Sequence, residues 1–356
     1  MKAQFSGKRI TGLRAVVPET ELRFDDEVDN YTFPAKQTLR LKAVMGYETH
    51  RVVKPSTSTS DLLWFGLKGL LDEGLLRRED VGAVVAVTVT PDHLLPHVGS
   101  ALHGLAELPE DTIVVDLVQG CTAFLHGLLQ AFLLLERLPE GKKVVVAVGD
   151  TLSKWVSTRD RNSYPLIGDA ASIVVVENGG DDTIRLDLRN DGGRRDSLKI
   201  PAGGSRLASS AETSELVDSG DGNLRSLDNL VMDGSAVFTF VQTDVPPLID
   251  AALSGAGLEK DDVDYFLFHQ PNKFMLRKLS EKLGIGYDRV PMNVVEKYGN
   301  PSGASIPLVI ADNLAEQMRG DALQCCLSAF GSGLSWGAIT MKLGGMEFCD
   351  LVVSDL

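Results

Sequence analysis

Four blocks of this 356-residue sequence occur twice, in the same order, roughly half a chain apart. Ile249–Phe268 (IDAALSGAGLEKDDVDYFLF) repeats the plan of Leu67–Val87 (LKGLLDEGLLRREDVGAVVAV): a helix, a Gly-Leu turn, an acidic pair before Val, then an apolar strand. Met292–Ala315 follows Val115–Leu138 in reading as a strand, a Gly-containing corner and a long helix. Leu323–Phe330 echoes Val144–Val148, and Gly337–Leu343 echoes Ala171–Val176. An ordered set of this kind predicts an internally duplicated α/β protein whose halves pack about a pseudo-twofold axis. Alternating strands and helices favour mixed sheets with helices on their faces. The chain divides into an N-terminal half, 1–177, a Gly-, Ser- and Asp-rich connection, 178–229, and a C-terminal half, 230–356.

Within this plan, Lys36–Met45 reads as a short helix ending at a Gly46 C-cap, and Ser60-Asp61 as the cap of the helix Leu62–Leu71. Strands are expected at Ala83–Val89, Lys143–Val148 and Ala171–Val176, with a helix around His97–Leu105. Four cysteines, none in a CxxC pair with downstream ligands, argue against a disulfide framework or a structural zinc. The histidines His50, His93, His97, His103 and His126 show no metal-site spacing, and Pro96 interrupts the one close pair. No metal is expected. The start, MKAQFSGKRI, lacks the apolar core of a signal peptide, and the apolar run Thr122–Leu135 is too short to span a bilayer. A cytoplasmic, reduced setting is the expectation. A net charge of −14 disfavours nucleic acid and gives no reason to expect binding to an anionic membrane.

Chemistry points first to Thr112–Leu135, TIVVDLVQGCTAFLHGLLQAFLLL. An apolar β-branched run, Ile113-Val114-Val115, reads as a buried strand, Gly120-Cys121-Thr122 as a sharp corner, and the remainder as a buried helix. Cys121 then sits where unpaired N–H groups and the positive helix end favour thiolate. The plain alternative is a small apolar residue packed in the core. Under the duplication, the Gly299-Asn300-Pro301 corner corresponds to Cys121, and His269 ends the strand matching Ala83–Val89. These strand ends converge near the axis, so a thiol, an imidazole and a carboxamide can share one pocket. Read locally, His269 serves equally as a satisfied core histidine and Asn300 as a helix cap. Cys325-Cys326 reads as strand core.

Taken in order, DLVQGCTAFLHGL, LIGDAASIVVVE, MDGSAVFTF, FLFHQPN, YGNPSGAS and AFGSGLSWGA resemble segments of the β-ketoacyl-acyl carrier protein synthase III enzymes of the thiolase-like superfamily. The resemblance runs from about Lys8 to Leu343. It implies a five-layered α-β-α-β-α fold, a homodimer, and acyl-CoA or acyl-carrier-protein thioesters as substrates, with no other cofactor. It makes Cys121 the nucleophile that takes an acyl group. His269 and Asn300 would stabilise the enolate formed as a malonyl thioester loses CO2, and the carbanion would attack the acylated thiol. The N–H groups of Cys121 and Ser332 would form a second oxyanion hole, Ser332 standing where the family usually has Gly, which narrows φ freedom. Leu95, Arg161, Ile167, Asn272 and Gly331 fall at substrate-binding positions, Leu95 where the family reaches across the dimer to close the acyl pocket.

Departures from the family pattern bear on the donor. Members that use a CoA primer commonly sandwich its adenine between a Trp and an Arg. Arg161 matches an arginine on the nucleotide side, but Lys36–Met45 contains no Trp, and Val44 stands where a basic residue is expected. Phe274 replaces an arginine that helps dock the carrier, with Lys154, Arg159, Lys273, Arg277 and Lys278 as other candidates for a basic docking patch. These departures favour an acyl group delivered on a carrier protein. An acyltransferase of the same fold acting on an alcohol or amine, and a non-catalytic partner subunit of a heterodimer, stand as alternatives. Retention of Cys121, His269 and Asn300 favours condensation.

Overall fold

Strands buried on both faces show apolar residues at every position, and two of them run through the middle of this molecule. The computed structural model describes residues 1–356, apart from the side chain of Asp181. Its main sheet contains nine strands: β1 (Lys2–Pro18), β2 (Val81–Val87), β3 (Ile113–Leu117), β4 (Lys143–Asp150), β5 (Ala170–Asn190), β6 (Tyr265–Phe268), β7 (Leu323–Gly331), β8 (Ser335–Leu343) and β9 (Phe348–Ser354). The principal helices are α1 (Ala35–Met45), α2 (Thr59–Asp72), α3 (Val98–Leu105), α4 (Ala123–Leu135), α5 (Gly234–Thr243), α6 (Val245–Ala256), α7 (Lys273–Leu283), α8 (Val294–Lys297) and α9 (Ser305–Arg319).

The order across the sheet is β6-β7-β8-β5-β4-β2-β3, with β1 pairing alongside β5 and β9 alongside β1. β5 explains why two half-sheets form one. Its first part pairs with β4, antiparallel from Ala170↔Asp150 to Glu177↔Lys143, and its last part with β8, from Arg185↔Thr340 to Asn190↔Ser335. The N-terminal half-sheet therefore reads β3-β2-β4-β5-β1, and the C-terminal one β6-β7-β8-β5 in the same relative directions. The 177/178 boundary falls in the middle of this strand, and Thr183–Asn190, read from sequence as connection, belongs to the second half's sheet.

The layers follow from side-chain alternation. In β2 and β4, Ala83, Val85, Val87, Val144, Val146 and Val148 face a core shared with α4 and α9, while Val84, Ala86, Val145 and Ala147 face α2 and α3. Phe266, Phe268, Cys326 and Trp336 of the second sheet face away from the centre, against α5, α6 and α7. The result is helices, sheet, the central pair α4 and α9, sheet, and helices: five layers. α4 lies so close to β4 that a Cβ at Gly127 would come 2.6 Å from Val146 Cγ1.

Two local expectations need correction. The strand expected at Met292 is absent; the chain there is irregular and enters the single-turn α8, so no counterpart of β3 pairs with β6. α2 begins at Thr59, three residues before the expected Leu62, because Ser58 forms a capping box with Asp61, the Asp61 carboxylate accepting the Ser58 N–H at 2.7 Å. The C-terminal extension is ordered: β9 pairs parallel to β1 from Gly12↔Phe348 to Pro18↔Ser354. Arg14 anchors it, donating to Asp350 at 2.8 and 2.7 Å and to Glu73 at 2.8 and 2.7 Å. The α1 helix ends as expected at Gly46, with φ +83°. Among the described residues, no helix is long and apolar enough to cross a membrane.

Candidate active site

β3 stops at Leu117 and α4 starts at Ala123, leaving Cys121 directly ahead of the N-cap residue Thr122. The Thr122 hydroxyl meets that of Ser335 at 2.8 Å, tying this corner to β8 of the other half. Gly331 lies flat against the thiol: a Cβ there would stand 2.5 Å from Cys121 Cβ and 2.6 Å from Sγ. The sulfur faces the Ser332 N–H, its own N–H and the Ser302 hydroxyl, all of which favour thiolate. Contrary to the sequence expectation, they do not prevail. Burial dominates and pushes the thiol up to about 11, with the Asp150 carboxylate acting in the same direction. The resting nucleophile is a thiol and has to lose a proton during the reaction. Cys325, Cys326 and Cys349 are buried in β7 and β9.

His269 follows the last residue of β6, its N–H donating to the Ser328 carbonyl at 2.9 Å. Its Nδ1 lies 2.8 Å from Ser305 Oγ at the start of α9, and its ring packs edge-on against Phe330 with centroids 5.7 Å apart. No hydrogen bond from Nε2 to the chain is found among the described residues, and the Ser302 backbone carbonyl lies close enough to the ring to favour its charged form. Burial drives the imidazole down to about 3, so it is neutral at physiological pH. Asn300 is held on three sides: its N–H donates to the Leu166 carbonyl at 2.6 Å, its carbonyl accepts the Gly168 N–H at 3.1 Å, and its Oδ1 accepts the Ser302 N–H at 3.0 Å. The amide Nδ2 has no partner in the chain among the described residues. Each side chain thus has one end fixed and one donor-capable nitrogen left over.

Two cavities meet at Cys121. One, of about 220 Å³, is almost wholly apolar and runs past Val89, Leu152, Ile167 and Leu230. The other, of about 410 Å³, passes His269, Asn272, Phe274 and Gly331 beneath α1 and α7. Cys121, Asn300, Leu166, Leu198 and Met232 line both. The structure therefore brings thiol, imidazole and carboxamide to one junction, together with Ile167, Asn272, Gly331 and Ser332. Asn272 also caps α7, its Oδ1 accepting the Met275 N–H at 2.8 Å. Leu198 and Met232 were missed in the sequence, since only a two-residue ladder, Met232↔Leu198, brings the connection to the cavity wall.

The remaining sequence candidates lie elsewhere. Leu95 is 77% exposed and touches neither cavity. The Arg161 guanidinium lies 3.3 Å from the ring centroid of Phe33, an aromatic just ahead of Lys36–Met45. The connection covers this pair: a Cβ at Gly222 would stand 3.0 Å from Phe33 Cζ, and Asn223 Oδ1 accepts the Arg161 N–H at 2.9 Å. Of the docking candidates, Lys154 is exposed but engaged, its ammonium donating to the Pro55 and Thr57 carbonyls at 3.0 and 2.6 Å. Lys273 is paired with Glu296, and Lys278 with Glu281. Arg159 and Arg277 are exposed and make no ion pair among the described residues. Ser332 does not adopt positive φ, so serine in place of glycine carries no backbone strain.

Residues 115–192 match the family model for 3-oxoacyl-[acyl-carrier-protein] synthase III, and residues 253–343 match the model for its C-terminal part. The β-ketoacyl-[acyl-carrier-protein] synthase III of Synechococcus elongatus is 31% identical over 343 residues, covering 95% of this chain and 97% of that protein. That of Syntrophomonas wolfei is 32% identical over 305 residues, covering 84% and 87%. The crystal structure of a 3-oxoacyl-(acyl-carrier protein) synthase from Burkholderia xenovorans superposes with a TM-score of 0.90 at 30% identity, over 99% of both chains. With the junction of thiol, imidazole and carboxamide at the seam of a duplicated five-layered fold, these similarities lead to one conclusion: the chain belongs to the β-ketoacyl-acyl carrier protein synthase III family of thiolase-like condensing enzymes.

Proposed function

We propose that this enzyme joins an acyl group, loaded on Cys121, to a malonyl thioester by decarboxylative Claisen condensation. The observation that carries the reading is the open pair of nitrogens, His269 Nε2 and Asn300 Nδ2, in the cavity that also reaches Cys121. The reaction requires the neutral tautomer with its proton on Nε2, in which the Ser305 hydroxyl, 2.8 Å away, donates to Nδ1. Two neutral N–H donors then face the carbonyl of a malonyl thioester and stabilise the enolate oxygen as CO2 leaves. A charged imidazolium would be disfavoured in this buried site and is not needed. The carbanion attacks the acyl-Cys121 carbonyl, whose oxygen sits against the N–H groups of Cys121 and Ser332. The apolar cavity holds the acyl chain.

The donor reading follows from Phe33. One face of its ring is occupied by Arg161 and its Cζ end is covered by Gly222, so the adenine of a CoA donor would have to displace this pairing to stack against Arg161. A carrier protein presents no adenine. Arg159 and Arg277, with the exposed Lys36 and Arg40 of α1, offer positive charge for an acidic carrier despite the overall negative charge. The reaction requires no cofactor beyond its thioesters. Its four free thiols suit a reducing, cytoplasmic setting. Leu94, Leu95 and Val118 are 87%, 77% and 77% exposed, and β3 is an edge strand. An apolar face of this kind supports a homodimer in which Leu95 enters the partner's acyl cavity.

Intact-mass measurement after incubation with acyl-carrier and acyl-CoA thioesters, followed by assay of CO2 release from a malonyl carrier, tests the proposal. An acyl adduct on Cys121 that a malonyl thioester discharges with loss of CO2 is the expected result. An adduct that discharges only to alcohols or amines would establish the acyltransferase alternative.

A further inference from the structure

A short strand, Thr49–Arg51, runs behind the turn that carries Asn300. Its Arg51 carbonyl accepts the Asp169 N–H at 2.8 Å, and its Arg51 N–H donates to the Tyr298 carbonyl at 3.1 Å. At its centre His50 is 1% exposed, with both ring nitrogens engaged. Nδ1 lies 2.7 Å from the Ile167 carbonyl oxygen, and since a carbonyl can only accept, Nδ1 carries a proton. Nε2 lies 3.0 Å from Glu27 Oε1, so one further proton lies between imidazole and carboxyl, whichever of the two holds it. Glu27 ends the single helical turn Phe24–Glu27 and is also buried; its other oxygen, Oε2, has no hydrogen-bond partner among the described residues. Burying two ionisable groups is costly, and an incompletely satisfied pair calls for a reason. The condensation steps above make no use of it.

We propose that His50, oriented by Glu27, is a positioning residue that fixes the Asn300 carboxamide for decarboxylation. This rests on the condensation reading above. His50 acts through the peptide Leu166-Ile167-Gly168, which bridges to Asn300 as a single parallel pair, Ile167↔Asn300. The Leu166 carbonyl and the Gly168 N–H hold the Asn300 backbone at 2.6 and 3.1 Å, and the Ile167 carbonyl between them is taken by His50. The same imidazole also backs the turn directly. A Cβ at Gly299, which has φ +78°, would stand 2.9 Å from His50 Cβ and 2.8 Å from the Gly168 nitrogen. The Tyr164 ring closes the remaining side, edge-on to His50 with centroids 5.3 Å apart. An enolate-stabilising donor works only in its place, and a shift of about 1 Å costs on the order of 10²-fold in rate. Cys121 is anchored separately, by the Thr122–Ser335 contact and the close approach of Gly331, so acyl loading does not draw on His50.

Two polar substitutions separate this role from packing. In His50→Asn the amide nitrogen stands where Nδ1 does and still donates to Ile167. In His50→Gln it stands where Nε2 does and faces Glu27 instead. Loading from a butyryl thioester is read by intact mass, the short chain being chosen because Ile167 also lines the acyl cavity. CO2 release from a malonyl thioester gives kcat and KM. His50→Gln is expected to lower kcat for CO2 release about 10- to 100-fold, with KM and loading within about threefold of wild type. His50→Asn is expected to keep all three within about threefold. Loading at the wild-type rate shows in addition that a variant is folded. If His50→Gln does not fold, the double variant Glu27→Gln/His50→Gln, which leaves no unpaired carboxylate buried, gives the same reading. Equal CO2 release in the two variants, a larger loss in His50→Asn, or loading and CO2 release falling together overturns the proposal. A wild-type chain that loads the acyl group and releases no CO2 overturns the condensation reading instead.

Discussion

Compare the two corners that open the central helices. Before α4 the chain leaves a paired strand, turns at Gly120 and presents a thiol at the helix start. Before α9 no strand precedes the turn; Asn300 is instead clamped to Leu166 and Gly168 of the opposite half, with an extra turn, Ser302–Ala304, inserted ahead of the helix. One duplicated scaffold thus delivers a nucleophile from one side and a fixed hydrogen-bond donor from the other. The first corner is anchored by its own sheet, so its side chain faces the junction. The second is anchored across the seam, so its position depends on both halves being assembled. Two chemical steps that need opposite polarity, an electron-rich sulfur and electron-poor N–H groups, are thereby separated onto two corners a short distance apart.

The largest expected effect breaks the first corner alone. Cys121→Ala should abolish the acyl adduct and lower condensation on the order of 10⁴-fold or more. Because the second corner is intact, CO2 release from a malonyl thioester should remain within about tenfold of wild type. The mirror experiment comes next. Asn300→Ala and His269→Ala should each cut CO2 release by about 10² to 10³, the usual loss for one oxyanion donor, with acyl loading changed only a few-fold. Intact mass for loading and gas release for decarboxylation separate the two corners. Loss of both readouts in every variant would mean that the corners do not act independently.

A third effect concerns stability. His269 titrates near 3 in the folded chain against about 6.5 unfolded, so between those values the unfolded chain binds more protons. Its contribution is intact above pH 6.5 and is lost as pH falls toward 3, at up to about 1.4 kcal/mol per unit. Asp150, whose carboxyl is raised, has the opposite sign: its contribution weakens as pH rises through its folded value. Urea midpoints from pH 7 to 4 should fall less steeply in His269→Gln than in the wild type, and more steeply in Asp150→Asn. Equal slopes would show that neither group is as desolvated as the structure has it.

The duplication itself was legible because burial on both faces writes continuous apolar runs, as in β2 and β4. Cys121, His269 and Asn300 were legible for a related reason: each follows a recognisable local element, and matching the halves superimposes those positions. What sequence did not show was settled by long-range contact. Thr183–Asn190 looks like connection, since it is ordered by pairing with distant strands, β1 and β8. The corner at Asn300 suggested a preceding strand by analogy with Val115, but its anchoring comes from Leu166 and Gly168 instead. Leu198, Met232, Phe33 and Asp150 carry no local signal. Asp150 is an ordinary aspartate after a strand until β2 and the 300–304 turn close over it. The direction in which the thiol shifts is hidden for the same reason, because desolvation depends on everything that surrounds the sulfur, whereas the helix start is visible from five residues.

The smallest effect tests whether the first corner needs the glycine usual in its family at position 332. A serine there raised the expectation of restricted φ and a weakened oxyanion hole. The backbone does not use that freedom: positive φ falls at Gly333 (+131°) and Ser302 (+48°) instead, and the Ser332 N–H faces the Cys121 sulfur regardless of its side chain. Ser332→Gly should therefore change the loading rate by no more than about threefold and cost about 0.5–1 kcal/mol of stability through the freer unfolded chain. Gly331→Ala, one residue earlier, should do far more, because its methyl would occupy the space of Cys121 Sγ, 2.6 Å away. If the two substitutions behaved alike, contact with the sulfur would not be what demands glycine in this turn, and the close packing of β7 against the nucleophile would have to be redrawn.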